Sequence, residues 1–471
     1  MENFWGFDVW GGFLLVAVLL VSLLLANGLK KSFKFLQVSL IPTSVLAGLI
    51  LLVISGIYSG VTGSSIFDAA CFGGNGAAAL EVITYHALAL GFIATALKSS
   101  EKKLTKERNK EIFNTGVTTV STYLLQAVLG LGITMLAALL IDGFFPAAGV
   151  LLPFGYGQGT GQALNYGSIY ETDYGFVGGR SFGLTIAALG FLSASIGGVI
   201  HLNILREKGK ITTTAIEEGR LESEEVQSKN EIPMNGSMDK LTVQIALIAL
   251  AYLLAYLVMY GLGLLLPGMK SVIYGFNFLL GVLTATLVKV VMKFLRKKSI
   301  IKKEYANNFL LTRTGNFCFD IMVVAGIAAI RLDLLKDYWG IILILGVVGL
   351  AFTYAYNLFV AKVLFKKYEN EQFLMMYGML TGTASTGIIL LREIDGEFKT
   401  PAADNLVYQN FPAIVFGFPM MLLATLAPQK PALTLVILVA FFAAMNILLF
   451  RNQIFKGRKK NATTQKRNEE I

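Results

Sequence analysis

The chain predicts an all-α polytopic membrane protein: two inverted repeats of about five transmembrane helices, each holding one re-entrant or broken-helix hairpin, plus an extra C-terminal helix. Three observations carry that expectation. The apolar residues gather in blocks of roughly 20, the length a helix needs to cross about 30 Å of hydrocarbon. The lysines and arginines cluster at the ends of those blocks, where they set topology. Two glycine-rich segments far apart in the chain resemble each other.

The 471 residues are 55% hydrophobic and 15% charged, with a mean hydropathy of +0.64, too apolar for a domain that covers itself with polar surface. The formal charge of +10 comes from those helix-end clusters rather than from a basic face, so no nucleic-acid partner is expected and the lipid bilayer is. Cys71 in a loop and Cys318 in a span have neither disulfide-framework nor zinc spacing. The first block, Val9 to Ala26, lacks a basic flank and a small-residue cleavage site and reads as a retained helix.

Spans one and two run about 9–29 and 35–57, joined by a basic turn with Lys30, Lys31 and Lys34 that belongs inside. The acidic N-terminus, with Glu2 and Asp8, then lies outside. Span three, about 79–97, leads into Lys98, Lys102, Lys103, Lys106, Arg108 and Lys110, whereas the loop before it has no Lys or Arg. Spans four and five follow at about 117–141 and 182–203, completing an N-terminal repeat over 1–203. The polar stretch 204–240 reads as a cytoplasmic linker. Spans six to ten, at about 241–266, 272–295, 309–330, 338–365 and 407–427, form the C-terminal repeat over 241–427. The remainder, 428–471, adds a span at about 432–450 and a basic cytoplasmic tail with Arg458, Lys459 and Lys460. Eleven crossings satisfy every charge cluster. The short loops favour a bacterial inner membrane.

Two apolar segments, 151–176 and 373–398, are too rich in Gly, Thr and Ser to cross as uninterrupted helices. Glu171, Asp173 and Phe176 match Glu393, Asp395 and Phe398 at one constant offset, and Gly159-Thr160 matches Gly382-Thr383 after a one-residue slip. An internal duplication is the economical reading. About five crossings separate the copies, so the first enters from outside and the second from inside.

Unpaired amides and carbonyls in hydrocarbon cost several kcal/mol, so such breaks imply a ligand or protein group that completes them. Gly155, Gly157, Gly159 and Gly161 recur every second residue and offer bare backbone; their carbonyls, with the Thr160 hydroxyl, suit a hard cation such as sodium. Thr381, Thr383, Ser385 and Thr386 add hydroxyls around Gly382 and Gly387. A half-helix starting after either break aims its amides at a carboxylate. Asp320, mid-way along span eight, is a candidate for cation coupling or proton transfer. His86 in span three reads as a packing residue before a proton relay. Gln126, Asn277, Asn316, Asn357 and Asn446 read as interhelical hydrogen-bonding groups. Arg180 and Arg392 flank the hairpins, as forks for a substrate carboxylate or as interfacial anchors.

At these hairpins the chain resembles the sodium/glutamate symporters, through Gly157-Gln158-Gly159-Thr160-Gly161 and Tyr174-Gly175-Phe176, and through Ile41-Pro42 leading to Val45, Ala47 and Gly48. The resemblance implies ten core helices in two inverted repeats, two re-entrant segments, a homodimer, and sodium-driven uptake of glutamate by an elevator-like movement. Three departures stand beside it. The family commonly has His where this chain has Gln158, its second hairpin holds more glycine, and an extra C-terminal span follows here. Sodium as the coupling ion therefore carries over better than glutamate as the solute, and no organic cofactor is implied. The expected activity is symport of a small anionic solute, not catalysis. The alternatives are a passive channel, which calls for a continuous polar stripe along several helices, and a proton-coupled carboxylate transporter. An intramembrane enzyme finds only Asp320 and His86 deep enough to serve it.

Overall fold

The structure is a computed structural model that describes residues 4–98, 105–209, 231, 238–396 and 399–454. The described residues are helical almost throughout. In chain order the helices are α1 (Phe7–Ser32), α2 (Lys34–Val38), α3 (Thr43–Thr62), α4 (Gly76–Leu97), α5 (Lys106–Leu140), α6 (Leu151–Tyr174), α7 (Gly179–Glu207), α8 (Lys240–Leu265), α9 (Lys270–Gly275) and α10 (Asn277–Lys297). They continue with α11 (Asn308–Ala328), α12 (Trp339–Leu364), α13 (Glu369–Thr381), α14 (Ala384–Arg392), α15 (Ala402–Tyr408), α16 (Asn410–Leu426) and α17 (Pro431–Leu449). By length and composition, 10 are able to cross a membrane, and 11 if α15 and α16, bent by 53°, count as one span. The chain is a polytopic integral membrane protein.

The span ends follow local chemistry. Span two starts at Thr43 rather than near residue 35, because Leu40 takes φ 55° and Pro42 has no amide to continue a helix from α2. It stops where Gly63 turns left-handed at φ 77° and returns its amide to Ser59. Span four starts eleven residues earlier than its apolar block: Thr105 caps the Arg108 amide, and Lys106, Glu107, Arg108, Lys110 and Glu111 are strong helix formers. At 35 residues α5 is about 50 Å long, well beyond the hydrocarbon thickness.

The chain folds as two compact units, Met1–Lys103 with Gln158–Leu192 and Thr214–Trp339, and Leu104–Gly157 with Ser193–Thr213 and Gly340–Ile471. Each unit draws on both halves of the sequence. The chain passes between them inside α6, beside Gly159, and inside α7.

In the first unit, α4 lies along α11, α3 packs on α11, α10 packs on α4, and α1 and α8 cover α3 and α10 respectively. Glycines set the close approaches. A Cβ on Gly48 of α3 would fall 2.8 Å from the Cβ of Ile327 on α11, and a Cβ on Gly281 of α10 would fall 2.8 Å from Ile93 Cδ1 on α4. Ile93, Ala94, Ile248, Ala251, Ala285 and Leu311 form the apolar core where α4, α8, α10 and α11 meet. At its edge Lys240 is fully buried and paired with Glu231, Nζ to Oε2 2.7 Å, and the same oxygen accepts from Asn307 Nδ2 at 2.7 Å. One linker residue thus ties the starts of α8 and α11. Most of the expected linker, and the basic tail, lie outside the described residues.

In the second unit α5 is the central strut, packed by α15, α16 and α17. Gly130 of α5 and Gly149 bring their backbones together so closely that a Cβ on either would fall about 2 Å from the other's carbonyl oxygen. The arms α13 and α14 close on each other through Gly378 and Gly387, where a Cβ on the first would sit 2.8 Å from the Cα of the second.

Candidate functional site

Both segments expected to be interrupted are interrupted, in different ways. Segment 151–176 is a single helix kinked at Gly159, whose φ 79° and ψ −172° no L side chain readily adopts. The helix resumes at once through Gln162, Ala163 and Leu164. The chain reverses only after Tyr174, where Gly175 and Gly178 take φ 72° and 78°. The first helical hairpin is therefore formed by the second half of α6 and the first half of α7. It is held at Gly167 and Gly183, where a Cβ would come within 2.5 Å of the carbonyls of Gly179 and Ala163. Segment 373–398 is two helices separated at Gly382 and Thr383, with Thr383 extended at φ −141°, ψ 171°. Phe398, one of the residues matched between the segments, lies outside the described residues.

A break frees carbonyls that a continuous helix would satisfy. In the second unit, two side chains of α5 take one each. The Tyr123 hydroxyl donates to the Gly157 carbonyl at 2.9 Å, and Gln126 Nε2 donates to the Leu380 carbonyl at 2.9 Å and to Thr353 Oγ1 at 2.9 Å. Gly157 and the end of α13 are thereby brought to one face of one helix, a single turn apart. The face continues as a buried polar column. Thr115, Thr118, Thr119 and Thr122 each return a hydrogen bond to the carbonyl four residues back. Thr119 also donates to Gln409 Oε1, Gln372 Nε2 to Thr115, and Asn357 Nδ2 to Thr122. The orientation of Gln126 is fixed, because only its NH₂ can face a carbonyl, and its Oε1 is buried without a partner.

Three of the four glycines of the first motif divide by role. Only Gly159 breaks the helix. A Cβ on Gly157 would lie 2.2 Å from the Tyr123 ring and one on Gly161 2.7 Å from Leu88, so these two make room for neighbours. The Gly157 carbonyl, expected as a cation ligand, already holds Tyr123.

Thr160 is fully buried in the first unit. It donates to the Met322 carbonyl of α11 at 3.3 Å, its side chain resting against Gly326, where a Cβ would fall 2.7 Å from the Thr160 Cβ. Asp320, two residues before Met322, is exposed. Gln162, one turn past the break and 1% exposed, has both amide atoms buried without a partner. In the second unit Thr381 donates to the Tyr377 carbonyl of its own helix at 2.6 Å. The Thr383 and Thr386 hydroxyls lie 3.4 Å apart, and Ser385 is exposed. Thr160 and Asp320 thus belong to one unit, and Gly157 and residues 381–386 to the other.

Arg180 is not a free fork, because its guanidinium is already paired. Its guanidinium donates to Glu81 at 3.0 Å and Ser168 at 3.2 Å and lies 3.9 Å from Glu171, whose Oε2 accepts from the Arg180 backbone amide at 3.1 Å. Glu81 stands 99 residues away, so no spacing rule points to it. His86 shares a hydrogen bond with Tyr252 Oη at 2.7 Å, in keeping with a packing role. His201, uninformative in the sequence, is buried, bonded to Tyr354 Oη at 2.8 Å and packed 4.3 Å from the Phe373 ring. Asn277 and Asn446 bond between helices, to the Tyr85 carbonyl and to the Tyr356 hydroxyl. Among the described residues no three His, Cys, Asp or Glu side chains group as a metal centre, so a cation here would depend on neutral oxygens.

No protein-family model matches the chain, and no curated protein matches it significantly.

Proposed function

We propose that the chain is a sodium-coupled secondary transporter for a small anionic solute, glutamate or a related amino acid or dicarboxylate. The observation that carries this reading is the pair of helix breaks whose freed carbonyls, Gly157 and Leu380, meet the same face of α5. Lipid does not tolerate interrupted backbone, so a break persists at membrane depth only where protein or ligand groups complete it, and paired breaks of this kind mark the substrate site of secondary transporters. The candidate sodium ligands are, at the first break by itself, the Thr160 hydroxyl with the Gly159 and Gly161 carbonyls, and at the second by itself, the Thr383 hydroxyl with the Thr381 and Gly382 carbonyls. The solute carboxylate meets the amide end of α14, beside Ser385 and Thr386.

An inverted repeat is supported by the reciprocal packing of the first unit. Gly48 of α3 receives Ile327 near the end of α11, while Gly281 of α10 receives Ile93 near the end of α4, as a two-fold axis in the membrane plane would arrange them. Alternating access by an elevator-type movement, assembly as a homodimer, and an outer N-terminus in a bacterial inner membrane complete the reading. Proton coupling is the second reading, favoured by the exposed Asp320 carboxylate half-way along α11.

The deciding experiment is uptake into proteoliposomes from a panel of labelled amino acids and dicarboxylates under imposed sodium or proton gradients. Accumulation driven by sodium supports the proposal. Accumulation driven only by protons moves coupling to Asp320, and gradient-independent equilibration would make the protein a channel.

A further inference from the structure

Away from the breaks, the first unit holds a cavity of about 240 Å³ between the second half of α3 and the segment that joins α11 to α12. Six side chains give it its chemistry: Ser55, Ser59, Ser65, Arg331, Asp333 and Lys336. The floor is buried, with Ser55 6% and Ile330 5% exposed. Ser55 and Ser65 join across it, Oγ to Oγ 3.4 Å. Arg331 is fixed in place, its amide donating to Ser181 Oγ at 3.0 Å and its guanidinium lying 3.3 Å from Asp68. Gly56 lets the wall close, since a Cβ there would stand 3.0 Å from Leu332 Cδ1, and Gly60 leaves the rim open.

The charges are the informative feature. Asp333 and Lys336 line one cavity, yet neither makes an ion pair with the other or with any other described residue. Opposite charges three residues apart ordinarily gain by pairing. Both are exposed at the edge of a polar cavity, so its lining offers both signs to a ligand that carries both. We infer that this cavity is a binding site for a small zwitterion of the α-amino acid class. Its ammonium faces Asp333, its carboxylate faces Lys336 and Arg331, and the serine hydroxyls take the remaining lone pairs and protons. The volume lies below the range of drug-sized pockets and limits the ligand to a small molecule. A dicarboxylate offers Asp333 only repulsion, so the site discriminates between the two solute classes that the proposed transport reaction leaves open. The site shares no residue with the breaks and stands or falls independently of them.

The test is equilibrium binding of labelled L-glutamate to the detergent-purified full chain, with succinate and 1,4-diaminobutane as single-sign competitors. Sodium-free buffer together with the Thr383→Val background, which weakens the proposed sodium site, keeps the sodium-dependent transport site out of the signal. Saturable binding is expected in that background. It should be weakened at least tenfold by Asp333→Asn or Lys336→Gln, abolished by Ser59→Leu, which fills the cavity, and left unchanged by succinate or the diamine. Unfolding temperatures within a degree or two of the parent confirm that the variants are folded. Unaltered binding in all three variants, no binding at all in the Thr383→Val background, or displacement by succinate as effective as by unlabelled L-glutamate overturns the inference. Loss of sodium-driven uptake with binding intact counts against the transport proposal alone.

Discussion

Tyr123 and Gln126, three residues apart on α5, donate to the carbonyls of Gly157 and Leu380 over the same distance, 2.9 Å, and so join two helix ends that are more than two hundred residues apart in sequence. A donor that satisfies a carbonyl in a dry interior is costly to remove, about 1–3 kcal/mol for the orphaned group. Tyr123→Phe keeps the ring under Gly157 and deletes only the donor, so it should lower the unfolding temperature by a few degrees. Gln126→Leu should do at least as much, because it strands both Leu380 and Thr353. Unchanged melting of both variants would mean that water serves these carbonyls equally well.

Gly157→Ala makes the reciprocal perturbation. Its methyl would enter the Tyr123 ring, and overpacking of this kind typically costs 1–3 kcal/mol or more. Tyr123→Ala opens the space again, so the double variant should be more stable than the sum of the two single losses. Thermal unfolding of the four proteins as a double-mutant cycle gives the coupling; strict additivity would separate the two residues.

The threonines separate packing from ion binding. Thr381 donates to the Tyr377 carbonyl within its own helix and Thr160 to the Met322 carbonyl of α11, but only Thr160 and Thr383 directly follow the residues whose dihedrals break the helices. Thr160→Val and Thr383→Val keep the shape and remove an oxygen, so each should raise the sodium concentration for half-maximal uptake by tenfold or more without affecting membrane insertion. Thr381→Val should leave it within about twofold. Equal effects of all three substitutions would remove the distinction on which the sodium assignment rests.

The buried pair between Lys240 and Glu231 tests how firmly the linker is held. Removing one partner of a buried pair costs about 3–5 kcal/mol, while replacing both with apolar groups is often neutral. Glu231→Gln should therefore destabilise strongly, and Glu231→Leu combined with Lys240→Met should recover most of the loss. Purified-protein melting curves decide it, the contrary result being a double variant no better than Glu231→Gln.

The spans were legible because hydrocarbon thickness imposes one length and charge fixes the ends; where a span moved, the cause was local. Pro42 and Leu40 delay α3, and the Thr105 cap with its charged first turns carries α5 past its apolar block. The breaks were legible as glycine-rich segments, but not the residue that breaks. Gly157, Gly159 and Gly161 look alike in sequence, yet one provides a left-handed dihedral and two provide space. The reversal of the chain lies at the end of the first segment, where Gly175 and Gly178 turn it after the helix has resumed. Partners across long separations were out of reach altogether. Arg180 reads as a fork for a carboxylate or an interfacial anchor until Glu81 is beside it, and Gln126 reads as a generic interhelical group until the Leu380 carbonyl shows which end of its amide is committed.

The native cysteines offer a test of orientation that needs no engineering. Cys71 is partly exposed in the loop before α4, a loop without a single Lys or Arg, and Cys318 is buried within α11. If basic turns such as Lys30–Lys34 lie in the cytoplasm, Cys71 faces outward, and a membrane-impermeant maleimide added to intact cells should label the protein once. Cys71→Ser should abolish that labelling, because Cys318 is shielded by its neighbours. Labelling that requires permeabilised cells would place the loop inside, reverse every span, and put the first break on the cytoplasmic route instead of the external one.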